Sequence, residues 1–373
     1  MYRRSADIEA IIDDLVNDFP DLVTKIDLLR SVMNRPISAL RIGSGAGTDR
    51  AAVLFVGGIH ARELLNPDVL VDLVIDLLAH YLEESDWLMG GQRWPASTVR
   101  SIVESLDLFV LPNANPDGRE HVFDVFRMWR KNRRDNPARC DGVDLNRNYD
   151  LLWGVQTRDA AGSITTSRSP CTDVFFGSRA FSEPETRNVK RLLDQHPIEC
   201  FVDVHSYSEL ILHPWGHAPN QTSDPTQRFT LVDTSDWDEL PADAPDYKEF
   251  IDADDLARLV AIGDAAAAAI RNVRGRSYTV QPGIDLYPTT GTSSDYAYSR
   301  HIIDPSRRKV YGFTFETGPR VATVEDSFQP PEPEASRIAE EATSGLISVL
   351  TSVALSGSGG RRLTQRRRRR LAR

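Results

Sequence analysis

Residues 51–68, AAVLFVGGIHARELLNPD, join a strand pattern to a helix pattern through two glycines. The first half is an uninterrupted apolar run, which is typical of a strand buried on both faces of a parallel sheet. Gly57 and Gly58 then permit a tight turn, and His60 and Glu63 follow, three residues apart. We expect both side chains on one face as the helix begins. This pair can hold a metal ion, although an ordinary helix start can contain it too.

The same alternation recurs along the chain. Further strand-like runs lie at 106–118, 198–208 and 309–318, and helical patterns lie at 66–85, 182–196, 252–273 and 335–355. We expect Asn66 to cap the first of these helices, with Pro67 in its first turn, and Ser182 with Glu185 to form a capping box. Strands that alternate with helices predict an α/β fold, here a single domain with a central mixed, mostly parallel β-sheet flanked by helices.

Two segments fall outside this alternation. Residues 218–250 are rich in proline and aspartate and lack periodicity, so we expect a long surface excursion rather than a second domain. Residues 356–373 begin with SGSGG and end with RRLTQRRRRRLAR, which predicts a Gly/Ser linker and a disordered, arginine-rich tail. The folded domain is therefore expected to comprise residues 1–355.

Charge is divided unevenly along the chain. The tail carries eight arginines and no acid, and removing these from the formal net charge of −10 leaves −18 for residues 1–360. An acidic body argues against nucleic-acid binding by the folded domain. The sequence has no run of about 18 uncharged apolar residues, so we expect no membrane span. The N-terminus lacks the apolar stretch of a signal peptide.

The chain contains three cysteines. Cys140 and Cys171 flank a polar stretch, whereas Cys200 lies in an apolar run. A disulfide between the first two, with Cys200 buried and free, is compatible with this pattern, although spacing alone does not establish it. Such a disulfide would favour an oxidising, extracellular location.

A metal at His60 and Glu63 would need a third ligand from another strand end. His205 follows the apolar run IECFVDVH, whereas His213 and His217 lie in the loop-like ILHPWGHAP and are poorer candidates. A strand-end histidine is often only structural. Two neutral imidazoles and one carboxylate suit a catalytic zinc ion, which needs three protein ligands and an open position for water.

Five other residues have side chains with useful chemistry. Asn146 and Arg147 are adjacent in CDGVDLNRNYD and could grip a carboxylate, or could belong to a polar turn. Arg130 lies in a basic cluster of the kind that usually faces solvent, and Tyr287 opens a glycine- and serine-rich loop. Glu316 ends an apolar strand, where a desolvated carboxylate beside a metal can act as a general base.

Taken together and in this order, these segments resemble the zinc carboxypeptidases of the carboxypeptidase A/B family. The resemblance runs from about residue 6 to about residue 353 and rests on GGIHARE, LPNANPDG, WRKNR, GVDLNRNYD, DVHSYSELILHPWG, LYPTTGTSSDYAY and FTFETG. It implies a metallocarboxypeptidase with one zinc ion per chain, held by His60, Glu63 and His205. The substrates would be peptide or protein C-termini. We also expect a monomer with no membrane partner and with no nucleic-acid partner for the catalytic domain, although the arginine-rich tail alone could contact nucleic acid or an anionic surface.

The resemblance also implies a role for each remaining position. Arg130, assisted by Arg62, would stabilise the oxyanion, and Glu316 would take a proton from the attacking water and return it to the leaving amine. The terminal carboxylate of the substrate would be bound by a separate set of residues, namely Asn146, Arg147 and Tyr287. The family's disulfide resembles the pair Cys140 and Cys171.

Two departures from the family concern substrate choice. The specificity position is matched by Ser294, whereas an aspartate there would favour C-terminal Lys or Arg. Gly216 likewise lacks the acid that another branch uses for basic substrates. With Thr289 and Thr292 nearby, we expect a neutral pocket for apolar or aromatic C-terminal residues. The excursion at 218–250 is longer than the family's usual connection and could form part of the cleft rim.

Two other functions remain open from the sequence. The first is a different reaction on the same fold, either a desuccinylase- or aspartoacylase-like amidohydrolase or a carboxypeptidase acting on peptidoglycan stems. The second is a non-enzymatic binding domain, which should have lost a ligand or the general base. His60, Glu63, His205 and Glu316 are all present, so the sequence favours the enzyme.

Overall fold

The computed structural model describes residues 2–45, 50–136, 140–232 and 247–371, with side chains described as far as residue 355. The strands are β1 Val23–Asp27, β2 Ser38–Ile42, β3 Ala52–Gly57, β4 Trp87–Met89, β5 Gln92–Trp94, β6 Asp107–Leu111, β7 Thr157–Arg158, β8 Ile164–Thr166, β9 Ile198–His205, β10 Leu210–His213, β11 Asn220–Gln221, β12 Glu249–Phe250, β13 Thr279–Pro282 and β14 Tyr311–Glu316. The α-helices are α1 Ser5–Asp18, α2 Leu65–Leu82, α3 Ala96–Ser105, α4 Pro116–Asp124, α5 Pro184–Gln195, α6 Ala253–Arg274, α7 Ser293–Ile303, α8 Val324–Phe328 and α9 Glu334–Leu371.

Eight of these strands form one twisted sheet in the order β1-β2-β6-β3-β9-β14-β10-β13. The pairs β6–β3, β3–β9, β9–β14 and β10–β13 are parallel, and the pairs β1–β2, β2–β6 and β14–β10 are antiparallel. The predicted mixed, mostly parallel sheet flanked by helices is therefore confirmed. Because β3, β9 and β14 are parallel neighbours, their carboxyl ends meet at one edge of the sheet.

Both faces of the sheet are covered by helices, as the apolar run of β3 predicts. Val53 and Phe55 join the hydrophobic core shared with α2, α6 and α9. Leu54 and Val56 point to the opposite face and pack with residues of α5 and α7. All four side chains have 0% exposed surface, so alternate residues of one strand serve two cores.

The turn after β3 requires glycine. Gly58 has a φ of +69°, which side chains rarely adopt. A Cβ atom at Gly58 would also lie 2.9 Å from Cγ of Pro67. The chain can therefore pass from the end of β3 into α2 within a few residues, and this short connection holds His60 and Glu63 at the sheet edge.

Both predicted helix caps are wrong. Helix α2 is preceded by Leu64, with no side-chain cap, and Asn66 lies inside its first turn. Helix α5 is preceded by Glu183, and the hydroxyl of Ser182 donates to the Glu183 carboxylate at 2.7 Å instead of capping the helix backbone. The hydroxyl of Ser182 also accepts from Nδ2 of Asn148 at 2.9 Å, and Oδ1 of Asn66 accepts from the hydroxyl of Ser206 at 3.1 Å. In each case a tertiary hydrogen bond overrides the local pattern.

Two other predictions differ from the structure, one for a strand and one for a loop. The run 106–118 ends as a strand at Leu111, and helix α4 begins at Pro116, where Asn115 caps it by accepting a hydrogen bond from the Gly118 amide. His213 lies at the end of strand β10 rather than in a loop. Strand β10 pairs with β13 and β14, a long-range contact that a short apolar run does not reveal.

Helix α9 closes the core. Its segment Glu334–Leu355 is long and apolar enough to cross a bilayer, but 72% of the most apolar part is buried inside the protein. It packs against α6, α3 and α2, so it is a core helix. The helix is assigned to Leu371, but the side chains of 356–371 and residues 372–373 lie outside the described part. The separate linker and tail therefore stay a prediction.

The excursion at 218–250 is described only at its two ends. Strands β11 and β12 pair in parallel and hold these ends together. Nε2 of His217 lies 2.9 Å from Oε2 of Glu249, and both side chains are buried. Residues 233–246 lie outside the described part, so the expected contribution of this segment to a cleft rim stays a prediction.

Candidate functional site

Three buried side chains, those of His60, Glu63 and His205, meet at the carboxyl edge of the central sheet. Nδ1 of His60 lies 2.9 Å from Oε1 of Glu63 and 3.0 Å from Nδ1 of His205. Nδ1 of His205 lies 3.1 Å from Oε2 of Glu63. The three predicted ligands therefore offer atoms that all lie within 4.8 Å of one another, close enough to share one metal ion.

The second nitrogen of each imidazole contacts a buried carboxylate. Nε2 of His60 lies 3.1 Å from Oδ1 of Asp144, and Nε2 of His205 lies 3.0 Å from Oδ2 of Asp203. Each Nε2 can donate its hydrogen to that carboxylate, and each Nδ1 then turns its lone pair toward Glu63 and toward the other Nδ1, 3.0 Å away. In this tautomer a cation among the three groups would relieve the repulsion between the lone pairs. This donor set fits zinc, which uses such ligands in catalytic sites.

The electrostatics of the cluster also favour a cation. Burial opposes a charge on His205, but the carboxylates of Asp203 and Glu63 raise its pKa well above the usual value. Burial acts to raise the pKa of Glu63, but His60 and His205 outweigh it and hold that pKa below its usual range. Glu63 is therefore ionised, and the surroundings of the imidazoles stabilise positive charge.

Glu63 is held by a small hydrogen-bond network. Its Oε2 accepts from the backbone amide of Ser206 at 3.1 Å and from Nδ2 of Asn66 at 3.3 Å. Oδ1 of Asn66 in turn accepts from the hydroxyls of Ser206 and Thr317, at 3.1 and 3.2 Å. Asn66, which the sequence predicted as a helix cap, thus orients a candidate ligand instead.

Arg130 lies beside the cluster, fixed by the same carboxylate that holds His60. Its Nε and Nη2 donate to Oδ2 of Asp144 at 3.0 and 2.9 Å. Burial opposes the charge of Arg130, but Asp144 raises its pKa. Arg130 also holds the pKa of Asp144 well below the usual range, although burial acts in the opposite direction. One aspartate therefore positions both an imidazole and a guanidinium.

Glu316 is the last residue of β14 and lies in register with His205 at the end of β9. Burial raises the pKa of its carboxyl to about 7, and the negative charge of Glu63 adds to this, while His205 and Arg130 oppose it. Such a carboxyl can both accept and release a proton near neutral pH. Glu316 ends an apolar strand, as the sequence indicated.

Two cavities meet at this site and share one wall, formed by Asn146, Arg147, Leu286, Tyr287 and Glu316. We call the first cavity the catalytic cavity. Besides the shared wall, it is lined by two members of the cluster and by their neighbours, namely His60, Arg62, Glu63, Arg130, Ser206, Tyr207, Ser208, Arg320 and Phe328. The second, which we call the side-chain pocket, lies beyond the shared wall and is lined by Leu212, His213, Gly216, Gly283, Thr289, Thr292, Ser294, Asp295 and Thr314.

Arg147 is a buried cation in the shared wall, with 3% of its surface exposed. Its Nε donates to the carbonyl of Thr165 at 2.7 Å and its Nη1 to the carbonyl of Asn146 at 2.6 Å. Within the described residues, its Nη2 makes no hydrogen bond and no carboxylate lies within ion-pair distance. A buried positive charge without an anionic partner is costly, so this position calls for an anion.

Asn146 lies beside Arg147 with its amide oriented by a neighbour. Its Oδ1 accepts from the backbone amide of Ser293 at 2.8 Å, which leaves Nδ2 to face the cavity, 3.5 Å from Nε2 of His205. Tyr287 lines both cavities on the same wall. An amide donor, a guanidinium and a phenol thus converge where the two cavities join.

Thr289, Thr292, Ser294 and Thr314 bring hydroxyl groups to the side-chain pocket. Oγ1 of Thr314 donates to Oγ of Ser294 at 3.1 Å. Oδ2 of Asp295 accepts from the amide of Gly216 at 2.9 Å, and burial raises the pKa of Asp295 to about 6. A Cβ atom at Gly216 would lie 2.5 Å from Oγ1 of Thr289, so the pocket leaves no room for an acidic side chain there.

The cysteines behave as the sequence indicated. Cys140 and Cys171 form a disulfide, and Cys200 is free and buried. Two residues beyond Cys171, Oδ2 of Asp173 lies 3.5 Å from Nη1 of Arg62 in the wall of the catalytic cavity. The segment fastened by the disulfide therefore reaches the cavity.

Sequence reasoning missed the two carboxylates that hold the imidazoles. Asp203 lies two residues before His205 in β9, and residues two apart share a face of a strand, so its contact could have been expected. Asp144 lies in the quoted CDGVDLNRNYD, but its contact with His60 joins residues 84 positions apart, and no sequence signal indicates it.

Comparison with known proteins places these features in a family. The chain matches the family model described as zinc carboxypeptidase over residues 8–345. Carboxypeptidase A4 of Mus musculus is 32% identical over 315 residues, which cover 83% of this chain and 61% of that protein. Carboxypeptidase B of Astacus astacus is 28% identical over 342 residues, which cover 88% of this chain and 94% of that protein. The chain thus spans less than two thirds of the first relative.

Solved structures share the fold. Bovine thrombin-activatable fibrinolysis inhibitor, in complex with tick carboxypeptidase inhibitor, has a TM-score of 0.72 at 24% identity, covering 95% of this chain and 98% of that chain. Carboxypeptidase A from Helicoverpa armigera has a TM-score of 0.70 at 24% identity, covering 95% and 74%. The structures confirm the fold, and the family model extends over most of the sequence. The chain therefore belongs to the zinc carboxypeptidase family.

Proposed function

We propose that the protein is a zinc-dependent exopeptidase that removes the C-terminal amino acid from peptides or proteins. The observation that carries this proposal is the buried Arg147, a cation without an anionic partner among the described residues, in a wall shared by two cavities. The carboxylate of a peptide C-terminus would pair with this guanidinium, whereas an internal peptide bond has no negative charge to offer. Two members of the metal cluster, His60 and Glu63, line the adjoining cavity, where the last peptide bond would lie.

The residues present fit one zinc ion per chain, held by His60, Glu63 and His205. Bound there, zinc would polarise the scissile carbonyl and lower the pKa of a water molecule to about 7. Glu316 takes a proton from the attacking water and returns it to the leaving amine, a task matched to its pKa of about 7.

Arg130 would stabilise the oxyanion that develops at the scissile carbonyl. Asp144 fixes its guanidinium before substrate arrives, so little reorganisation is needed. A donor at this position typically contributes about 3–4 kcal/mol to transition-state stabilisation. Arg62, in the same cavity, would assist with a second positive charge.

Binding of the terminal carboxylate falls to Arg147, Asn146 and Tyr287. Nη2 of Arg147 and Nδ2 of Asn146 are the donors left over after their other contacts. The last side chain would then enter the side-chain pocket, where Asp295 is held by the Gly216 amide and Ser294 bonds to Thr314. We propose that this pocket prefers neutral, apolar or aromatic side chains.

Replacing Ser294→Asp is expected to move this preference toward C-terminal lysine. The new carboxylate would pair with an ammonium group inside the pocket and would oppose an aromatic ring. We expect the kcat/KM ratio for peptides ending in Lys over those ending in Phe to rise at least about tenfold, or about 1.4 kcal/mol. Ser101→Asp, at an exposed position on α3, is the matched control. An unchanged ratio in a folded, zinc-loaded variant would remove Ser294 as the specificity position.

Replacing Asp203→Asn is expected to weaken zinc binding about 10- to 100-fold, because the amide no longer fixes the tautomer and orientation of His205. Competition with a chromophoric chelator measures this affinity without reference to activity. Asp264→Asn, on the exposed face of α6, is the control. Equal zinc affinity in the two variants would show that Asp203 is not needed to hold the ligand.

A peptide panel tests the proposed function. The peptides share one sequence and end in Phe, Leu, Lys, Arg or Glu, with an amidated Phe peptide and a set of N-acylated amino acids alongside. Chelator-sensitive release of Phe or Leu, with the amide untouched, is the expected result. Exclusive cleavage of N-acylated amino acids would contradict the peptidase and favour the amidohydrolase reaction.

The disulfide fits an oxidising compartment, and we propose an extracellular location on that ground.

A further inference from the structure

One wall of the catalytic cavity is cationic and does not belong to the side-chain pocket. Arg62, Arg320, Tyr207 and Phe328 line the catalytic cavity only. If the last side chain fills the side-chain pocket and the scissile bond lies at Glu316, the preceding residues must pass along this wall. We call these four residues the upstream wall.

Arg62 is held in the upstream wall but is poorly neutralised. Its guanidinium lies 4.4 Å from the centre of the Phe328 ring, its Nη1 lies 3.4 Å from the Met128 carbonyl, and its buried Nε has no hydrogen-bond partner among the described residues. Among the described residues, Arg62 forms one ion pair, with the carboxylate of Asp173 at 3.5 Å, and that side chain is mostly exposed. A screened ion pair of this kind is weak.

Arg320 is the second cation of the upstream wall. It lies four residues beyond Glu316, in the segment that follows β14, and its side chain is exposed. It has no ion-pair or hydrogen-bond partner within the described residues. Its charge is therefore available to an acidic side chain of a substrate, whereas Arg130 is already paired with Asp144.

The anions of the catalytic cavity do not cancel these charges. Glu63 is committed to the histidine cluster, and Glu316 is the proposed base at the scissile bond. A carboxylate on the upstream peptide could form charge-assisted hydrogen bonds with either guanidinium, whereas a lysine or arginine there would meet like charge. The body of the protein is acidic, so any preference for an acidic peptide must come from these local contacts rather than from long-range attraction.

We propose that the upstream wall selects substrates with an acidic side chain at one of the two positions before the C-terminal residue, and that Arg320 is the main determinant. The proposal rests on the proposed exopeptidase function and names its substrate class. Ion pairs at exposed or half-exposed positions are weak, so Arg62 and Arg320 together should raise the affinity for an acidic peptide by about three- to tenfold. A preference of that size is the expected effect.

The test uses blocked peptides that end in the residue released fastest and carry Glu, Ala or Lys at the penultimate position, or one position earlier. For the unmodified protein, we expect kcat/KM to be highest for Glu, intermediate for Ala and lowest for Lys at one of the two positions. Arg320→Ala should bring the Glu-to-Ala ratio toward one, and Arg320→Glu should reverse the order so that Lys is preferred. Arg337→Ala, at an exposed position on α9 away from both cavities, should keep the original ratio.

The same peptides titrated into the Glu316→Gln protein give dissociation constants, so the preference is measured even without turnover. Equal constants for Glu and Ala peptides at both positions would overturn the proposal, as would a preference that both Arg320 variants retain. Absence of any terminal release by the unmodified protein would contradict the exopeptidase instead, and the binding ratios would still decide whether the upstream wall selects acids.

Discussion

Replacing Glu316→Gln is expected to abolish turnover while zinc stays bound. Glutamine keeps the size and polarity of the side chain but cannot accept the proton of the attacking water. Glu316 is not one of the three proposed ligands, so its replacement removes no ligand atom. Loss of a general base costs about 10²- to 10⁴-fold in rate, so we expect kcat to fall by about 10³-fold or more.

The measurement combines kcat on the fastest peptide with the zinc content of the purified variant. Glu340→Gln, on the exposed face of α9, is the matched control and should keep both values. Activity within about tenfold of the unmodified protein, with zinc retained, would remove Glu316 as the base. Loss of zinc together with activity would show that Glu316 supports the metal site rather than the proton transfer.

Replacing Arg147→Ala is expected to remove the selectivity for a free C-terminus. The guanidinium is buried and pairs with no carboxylate among the described residues, so the substrate supplies its counter-ion. Removing one partner of a buried charge pair costs about 2 kcal/mol or more, which corresponds to an affinity loss of at least about 30-fold. The amidated form of the same peptide has no terminal charge and should lose far less.

Titration calorimetry in the Glu316→Gln background measures this without cleavage of the ligand. Affinities of the free-acid and amidated peptides are compared with and without Arg147→Ala, and the difference between the two effects isolates the carboxylate contact. Arg337→Ala again serves as the surface control. Equal losses for the two peptides would mean that Arg147 acts on the fold and not on the substrate carboxylate.

The central strands could be predicted because their own residues determine them. β3, β9 and β14 are apolar runs buried on both faces, and each ends at or near a residue of the candidate site. The spacing of His60 and Glu63 after two glycines placed both on one turn. His205 and Glu316 followed from their positions at strand ends, where parallel strands bring their loops together.

What could not be predicted depends on contacts between distant residues. The Asp144 carboxylate joins His60 to Arg130, and a turn-like sequence gives no sign of either contact. Asn66 has the sequence context of a helix cap, but its amide is engaged by Glu63, Ser206 and Thr317. The strand character of His213 likewise depends on pairing with β13 and β14. In each case tertiary hydrogen bonds outweigh the local pattern.

The measurement that tests the central claim most directly is a zinc titration of the metal-free protein with a matched pair of peptides, one with a free C-terminal carboxylate and one amidated. We predict that the protein stripped by a chelator is inactive and that release of the last residue rises in proportion to zinc until one ion is bound per chain. The amidated peptide should stay intact throughout. Full activity without zinc, or equal cleavage of the amidated peptide, would contradict a zinc exopeptidase built on His60, Glu63, His205 and Arg147.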